Sequence, residues 1–431
     1  MMTSRQHHDT INVTPLDVTG LSVPSQANSS GPRRGGAESR GERHVRPVRL
    51  PDFHIVAAGG AAYCPSVPNT QYPAPSTQCR RRAHDTTAGG SQPMGRARRS
   101  DGPVIDIHCH RECAPAADLM REAQLAAGKV ALGHGNAVTR KVNERQLATI
   151  RPKMDLLDIR VADMDAMGVD VQAVAIAVYQ YYYWSDAELG AKVARIMNEE
   201  LVESTAEYGE RFLPLGTVPL QDTDAAVQEL RHLVQQLGMR GIEIGTHVEG
   251  EEISAARLDP FWAEVEQLSA VVVIHTQGAT HADRLQGHNF VNIIGHAFEA
   301  TLAQAHLIFD GVLERHPELK IVVVHGGGYL PAYPGRIDHG WRAREDVSEG
   351  VPHLPSEYLR RFYFDTMVFG ADQLRFLVDR YGADHVLLGT DYPYDMGDDD
   401  PLALLGKADG LTQHQIDQIS GGNAARLLGM G

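Results

Sequence analysis

The sequence predicts one (β/α)8 barrel, a TIM barrel, over residues 101–431, behind a disordered N-terminal extension over residues 1–100. Three observations carry this expectation. After Asp101, short apolar runs alternate eight times with stretches of helical spacing, the pattern of parallel β/α units. Histidines and an aspartate stand at the C-terminal ends of those runs, the edge that converges on the mouth of a barrel. The first run is followed by HCHREC, where an open doubly wound sheet would want a Gly-rich phosphate loop.

In order, the runs are Val104–His108, Val171–Val178, Phe212–Val218, Gly241–Gly245, Val271–His275, Ile321–His325, Arg361–Thr366 and Val386–Thr390. Apolar stretches of this length suit strands covered on both faces. Helical spacing follows in Asp155–Met167, Ala187–Tyr208, Asp224–Leu237, Pro260–Leu268, Thr301–Arg315 and Ala371–Tyr381. Gly168, Gly238 and Gly382 stand where three of these helices should stop.

The first 100 residues read differently. They are rich in Ser, Pro, Gly and Arg, lack lysine, show no sustained period and carry roughly +7 net charge. An interaction module led by this basic tail is a further reading of the chain, and Met94 is an alternative start. The whole sequence carries a net charge of −15, which argues against nucleic-acid binding, since little would neutralise phosphates. No apolar run approaches the roughly 20 residues that a membrane span needs. Four cysteines, Cys64, Cys79, Cys109 and Cys113, form no disulfide framework, so a reducing, cytoplasmic compartment is expected.

The chemistry begins at VIDIHCH, Val104 to His110. A strand puts residues i and i+2 on one face, so His108 and His110 offer two imidazoles to one cation. His275 ends the fifth run, His325 the sixth, and Asp391 follows the eighth. Four histidines and an aspartate at strand ends, converging on one mouth, point to a metal site. Cys109, between the two histidines, would face away and pack. The fourth run, GIEIGTHV, holds no lysine that could bridge two metals, so one divalent metal ion is expected. Glu243 in that run reads as structural.

These residues also sit in strings that resemble a family. DIHCH (106–110), LGTVPLQ (215–221), GIEIGTHV (241–248), VVIH (272–275), VVVHGGGYLPAYPGRIDHGW (322–341), FYFDT (362–366), LLGTDYPYDMG (387–397) and GNAARLLG (422–429) resemble the amidohydrolase superfamily. Within it they are similar to the branch around aminocarboxymuconate-semialdehyde decarboxylase. The resemblance covers nearly the whole chain after Asp106. It implies that His108, His110, His275 and Asp391 bind one divalent ion, usually Zn2+, with His325 and Asp391 catalytic. It also implies that Arg336 reaches a neighbouring subunit's pocket to hold a substrate carboxylate, in a homodimer, and that Arg151 is a second carboxylate-binding arginine. The activity implied is non-oxidative decarboxylation of a small unsaturated or aromatic carboxylic acid. Hydrolysis or hydration of a lactone, amide or enol acid is the alternative.

Two departures bear on the substrate. The decarboxylase follows its fifth-strand histidine with Pro-Trp-Asp, whereas this chain has Thr276, Gln277 and Gly278. The next segment adds His281, His288 and His296, which would line the pocket as a polar loop. The aromatic run Tyr179–Trp184 is read either as a wall for a flat acid or as a packed loop.

Overall fold

A computed structural model of the chain describes residues 102–129 and 133–430. The expected extension over residues 1–100 lies outside the described residues. The eight expected strands all form: β1 Ile105–Arg111, β2 Val171–Ile176, β3 Phe212–Pro214, β4 Gly241–Ile244, β5 Val271–Ile274, β6 Lys320–Val323, β7 Tyr363–Asp365 and β8 Val386–Leu387. Every pairing between these strands is parallel. Two seams close the ring. Gly216 bridges to Ile242 between β3 and β4, and Cys109 bridges to Tyr392 between β1 and the segment after β8. Along the second seam the Ile107 N–H donates to the Leu388 carbonyl (3.0 Å) and the Asp391 N–H to the His108 carbonyl (2.8 Å). The result is a TIM-barrel fold.

Three strands fall short of their apolar runs by three residues or more, because other groups replace the ladder. Beyond β3, the Asn198 amide donates to the Thr217 carbonyl (2.9 Å) and accepts from the Thr217 N–H (2.8 Å). Beyond β8, the Thr390 N–H donates to Asp106 (3.1 Å), and the Leu388 N–H to the Ile419 carbonyl (2.9 Å). Beyond β7, the Met367 N–H turns back to Asp365 (3.2 Å). Backbone groups are satisfied either way, so the chain leaves strand geometry without leaving the barrel wall.

The helices lie in the expected places, with added ones. Between β1 and β2 stand α1 Ala114–Ala126, α2 Ala137–Asp155 and α3 Leu157–Met167, of which only the last was expected. Then follow α4 Ala187–Thr205, α5 Thr223–Gln235, α6 Asp259–Gln267, α7 Ala297–Phe309, α8 Pro334–Ala343 and α9 Ala371–Tyr381. Gly168 caps α3 in the left-handed region at φ 78°, where a side chain would be strained. No helix of the described residues is long and apolar enough to cross a membrane.

Two apolar layers result. One fills the barrel interior, with Ile105, Ile107, Ala173, Val273 and Val322, and is floored by Leu427 and Leu428. The other lies between barrel and helices, with Cys109, Val174, Ile274, Met164 and Leu307. Ile107 and Cys109 are two apart, yet they belong to different layers. The pairing register of β1 slips between Asp106 and Cys109, a bulge of one extra residue. That slip reverses the alternation, so the residues after it face the opposite way. It turns His108 and His110 into the barrel and leaves Cys109 packing outside, as expected of it.

Candidate metal centre

β1 carries His108 and His110 inward. His275 follows the last residue of β5, and Asp391 lies on the turn after β8. One donor atom from each of the four lies within 4.8 Å of every other. All four residues are buried. Asp391 Oδ1 stands 3.4 Å from His108 Nε2 and 3.3 Å from His110 Nε2. Those spacings match the edge of about 3.4 Å of a tetrahedron with corners about 2.1 Å from its centre. His108 Nε2, His110 Nε2, His275 Nε2 and Asp391 Oδ1 are buried with no hydrogen-bond partner. Each such atom would cost on the order of 1–3 kcal/mol if left so. One divalent cation among them satisfies all four, so the residues fit the metal that the sequence anticipates. The chain thus carries a divalent-metal-binding site.

The surroundings aim the lone pairs. His108 Nδ1 donates to Asp365 Oδ2 (2.7 Å), and His275 Nδ1 donates to the Thr276 carbonyl (2.8 Å). With Nδ1 carrying the proton, Nε2 presents its lone pair inward. Asp365 is itself held by the Gly326 N–H (2.7 Å). Sequence reasoning gave Asp365 no role. Its signal was the one already used for the histidines, a polar residue at the end of a barrel strand. Glu243 is buried, with Oε1 3.5 Å from His110 Nδ1, and accepts from the Tyr181 hydroxyl (2.8 Å).

Charge is concentrated here. Burial alone would raise the Asp391 carboxyl, but the His108 charge and the close imidazoles of His108, His110 and His325 hold it well below the usual range. Burial, then the charges of His110 and His108, push His275 well below an ordinary imidazole. His108 moves the other way. Burial opposes its charge, but Asp391 and Asp365 outweigh that.

His325 lies just beyond β6, with Nε2 3.7 Å from Asp391 Oδ2 and its ring 4.9 Å from that of His275. Both His325 and Asp391 hold φ in the left-handed region, 57° and 54°, a strain of about 1–3 kcal/mol each that clusters at functional sites. Of the three histidines after β5, His296 reaches the site, while His281 and His288 stay exposed. Burial, then the His325 charge, pushes His296 down to about 3. The aromatic run is mostly packed, with Tyr181, Tyr182 and Tyr183 buried.

Two cavity lobes open on the cluster. One includes His134, Asn143, Asn289, His275 and Tyr394, and the other His325, Tyr329, Met367, Phe369 and Gln373. Neither arginine expected at the substrate is among their lining residues. Arg336 is exposed on α8 and Arg151 is exposed on α2, near enough to Glu112 to influence its charge.

Known proteins share this architecture. Residues 105–430 match the family described as "Amidohydrolase". The chain is 34% identical over 274 residues to 2-amino-3-carboxymuconate-6-semialdehyde decarboxylase of Dictyostelium discoideum, covering 63% of this chain and 76% of the relative. It is 31% identical over 261 residues to gamma-resorcylate decarboxylase of Rhizobium radiobacter, covering 56% and 78%. A crystal structure of a dihydroxybenzoic acid decarboxylase from Polaromonas sp. JS666, with bound manganese and 2-nitroresorcinol, superposes with a TM-score of 0.65 at 23% identity, over 76% of this chain and 97% of that one. At that identity the likeness speaks for the fold. A match that runs from the first residue of β1 to the last described residue makes this chain a member of the amidohydrolase family.

Proposed function

We propose that the chain is a metal-dependent carboxy-lyase that releases CO2, without oxidation, from a small unsaturated or aromatic carboxylic acid. The observation that carries this reading is the set of four buried, unpartnered donor atoms gathered beside His325. Two decarboxylases among its relatives, one named for a muconate semialdehyde and one for a resorcylate, support the same reaction type.

In this reading His108, His110, His275 and Asp391 hold one divalent ion. Three imidazoles and a carboxylate suit zinc, the ion we favour, and also manganese, cobalt or iron. When bound, the ion supplies a Lewis acid beside the substrate's conjugated system, where charge develops as CO2 leaves. The remaining parts come from the chain. His325 delivers a proton to the carbon that has lost CO2. Asp391 orients that imidazole through its second oxygen. The apolar side chains of Met367 and Phe369 limit water around the flat acid.

We further propose a homodimer in which Arg336 of each subunit enters its neighbour's pocket. Its exposure on α8 supports this, as does a cavity lining without lysine or arginine among the described residues. A guanidinium grips a carboxylate by two parallel hydrogen bonds and fixes its plane. Arg151 is proposed as a second carboxylate-binding group. Buried, free Cys109 and Cys113 suit a reducing, cytoplasmic compartment.

The test is release of CO2 by metal-loaded protein from muconate-semialdehyde and hydroxybenzoate acids. We expect release from at least one acid, its loss on chelation, and its return with zinc or manganese. Silence from every acid, with hydrolysis of a lactone or amide, would favour the second reading, a hydrolase or hydratase. The cavity lobes that reach the cluster also admit water, and incorporation of oxygen-18 from water into product distinguishes the two reactions.

A further inference from the structure

His296 has no part in the mechanism above, yet it occupies a central place. It lines both cavity lobes, together with Asn292, Asp391 and Met396. Its ring centroid lies 6.2 Å from that of His275 and 5.7 Å from that of His325. Its nitrogens fall outside the four-residue donor cluster. The imidazoles of His108 and His275 are pinned by hydrogen bonds at Nδ1, whereas no described residue is hydrogen-bonded to either ring nitrogen of His296.

The backbone beneath it is unusual as well. Val291–His296 winds as a π-helical turn before α7. Such wide turns are rare, and they frequently mark functional sites because the extra residue re-aims a side chain. The other polar groups lining the lobes are the amides Asn143, Gln146, Asn289, Asn292 and Gln373, the His134 imidazole, the hydroxyls of Tyr329 and Tyr394 and the Asp395 carboxyl, with no lysine or arginine among the described residues. Amides, imidazoles and phenol hydroxyls recognise uncharged groups that both give and accept hydrogen bonds.

We propose that His296, with Asn292 beside it, is a specificity-determining residue that hydrogen-bonds a hydroxyl or oxo substituent of the acid held at the metal. The inference rests on the reading of the cluster as a carboxylic-acid site and adds what else the acid must carry. A half-buried group that the bound acid covers, built to pair with a hydroxyl, disfavours the analogue that lacks one, because the protein's own polar atom is then left unpaired.

The experiment uses the full-length, metal-loaded protein with benzoate and with 2-, 3- and 4-hydroxybenzoate as probes in calorimetric titrations. At least one hydroxybenzoate should bind about tenfold or more tightly than benzoate. His296→Leu should bring that ratio to within about threefold while leaving the benzoate Kd and the metal content unchanged, and His296→Gln should restore part of the preference. An unchanged ratio in His296→Leu overturns the inference, as does a wild-type protein that prefers no hydroxybenzoate. Loss of metal from His296→Leu also overturns it, since His296 would then belong to the ligand set. A normal CO2-release assay beside an unchanged ratio rejects this inference alone. Absent CO2 release beside a ratio that shifts as expected rejects decarboxylation and leaves the recognition standing.

Discussion

Asp365 touches neither cavity lobe, yet it fixes the imidazole that β1 offers first. Its carboxylate takes the His108 Nδ1 proton at 2.7 Å inside a fully buried pair. Partners of this kind set the tautomer and raise the basicity of a ligating nitrogen. Asp365→Asn keeps the shape but loses the charge that holds the Nδ1 proton. We expect metal affinity to weaken about 10–100-fold, read by competition with a chromophoric chelator, while circular dichroism stays native. An affinity equal to wild type would remove Asp365 from the account of the metal centre. Residue type and strand-end position made the four residues of the donor cluster legible in the sequence. Asp365 was missed because its meaning depends on a contact with a residue 257 positions away.

At the scale of elements, the barrel is closed by segments that do not read as strands. The turn Gln418–Gly422 presses against the start of β1 and offers the Ile419 carbonyl to Leu388, continuing the wall past β8. It can approach so closely because Gly421 has no side chain. A Cβ built there would lie 1.8 Å from the Pro103 carbonyl oxygen. Backbone cannot yield as a flexible side chain can, so the turn itself must move. Gly421→Ala should therefore lose about 1–3 kcal/mol or more of stability, measured by urea denaturation. An unchanged midpoint would show that the turn is not held against β1 in solution. The apolar runs announced all eight strands. They overstated β3, β7 and β8, because Asn198, Asp365 and Asp106 satisfy backbone that would otherwise have paired in a ladder.

At the scale of the whole molecule, the proposed dimer makes a claim that a monomer cannot meet. If Arg336 serves the neighbouring pocket, two differently disabled chains should complement each other. His110→Ala lacks a metal ligand but keeps Arg336, and Arg336→Gln has the reverse defect. Mixing the two under conditions of subunit exchange should return about a quarter of wild-type activity, since half the dimers would hold one complete site of two. No recovery, with exchange verified by mass, would place Arg336 outside the active site. The sequence by itself determined the alternation of strands and helices, the four residues that gather as the candidate metal cluster and the family. Those follow from local periodicity and from residue type at strand ends, which any chain displays without folding. Tertiary structure alone decided which way β1 points its histidines. Simple alternation from Ile105 and Ile107 would have sent them outward, and the slip in pairing against β2 turned them in. Register is a property of two strands at once, so it cannot be read from either one. The same holds for His296. Three histidines stood in one loop, and only the π-helical turn leading into α7 brought one of them over the metal site.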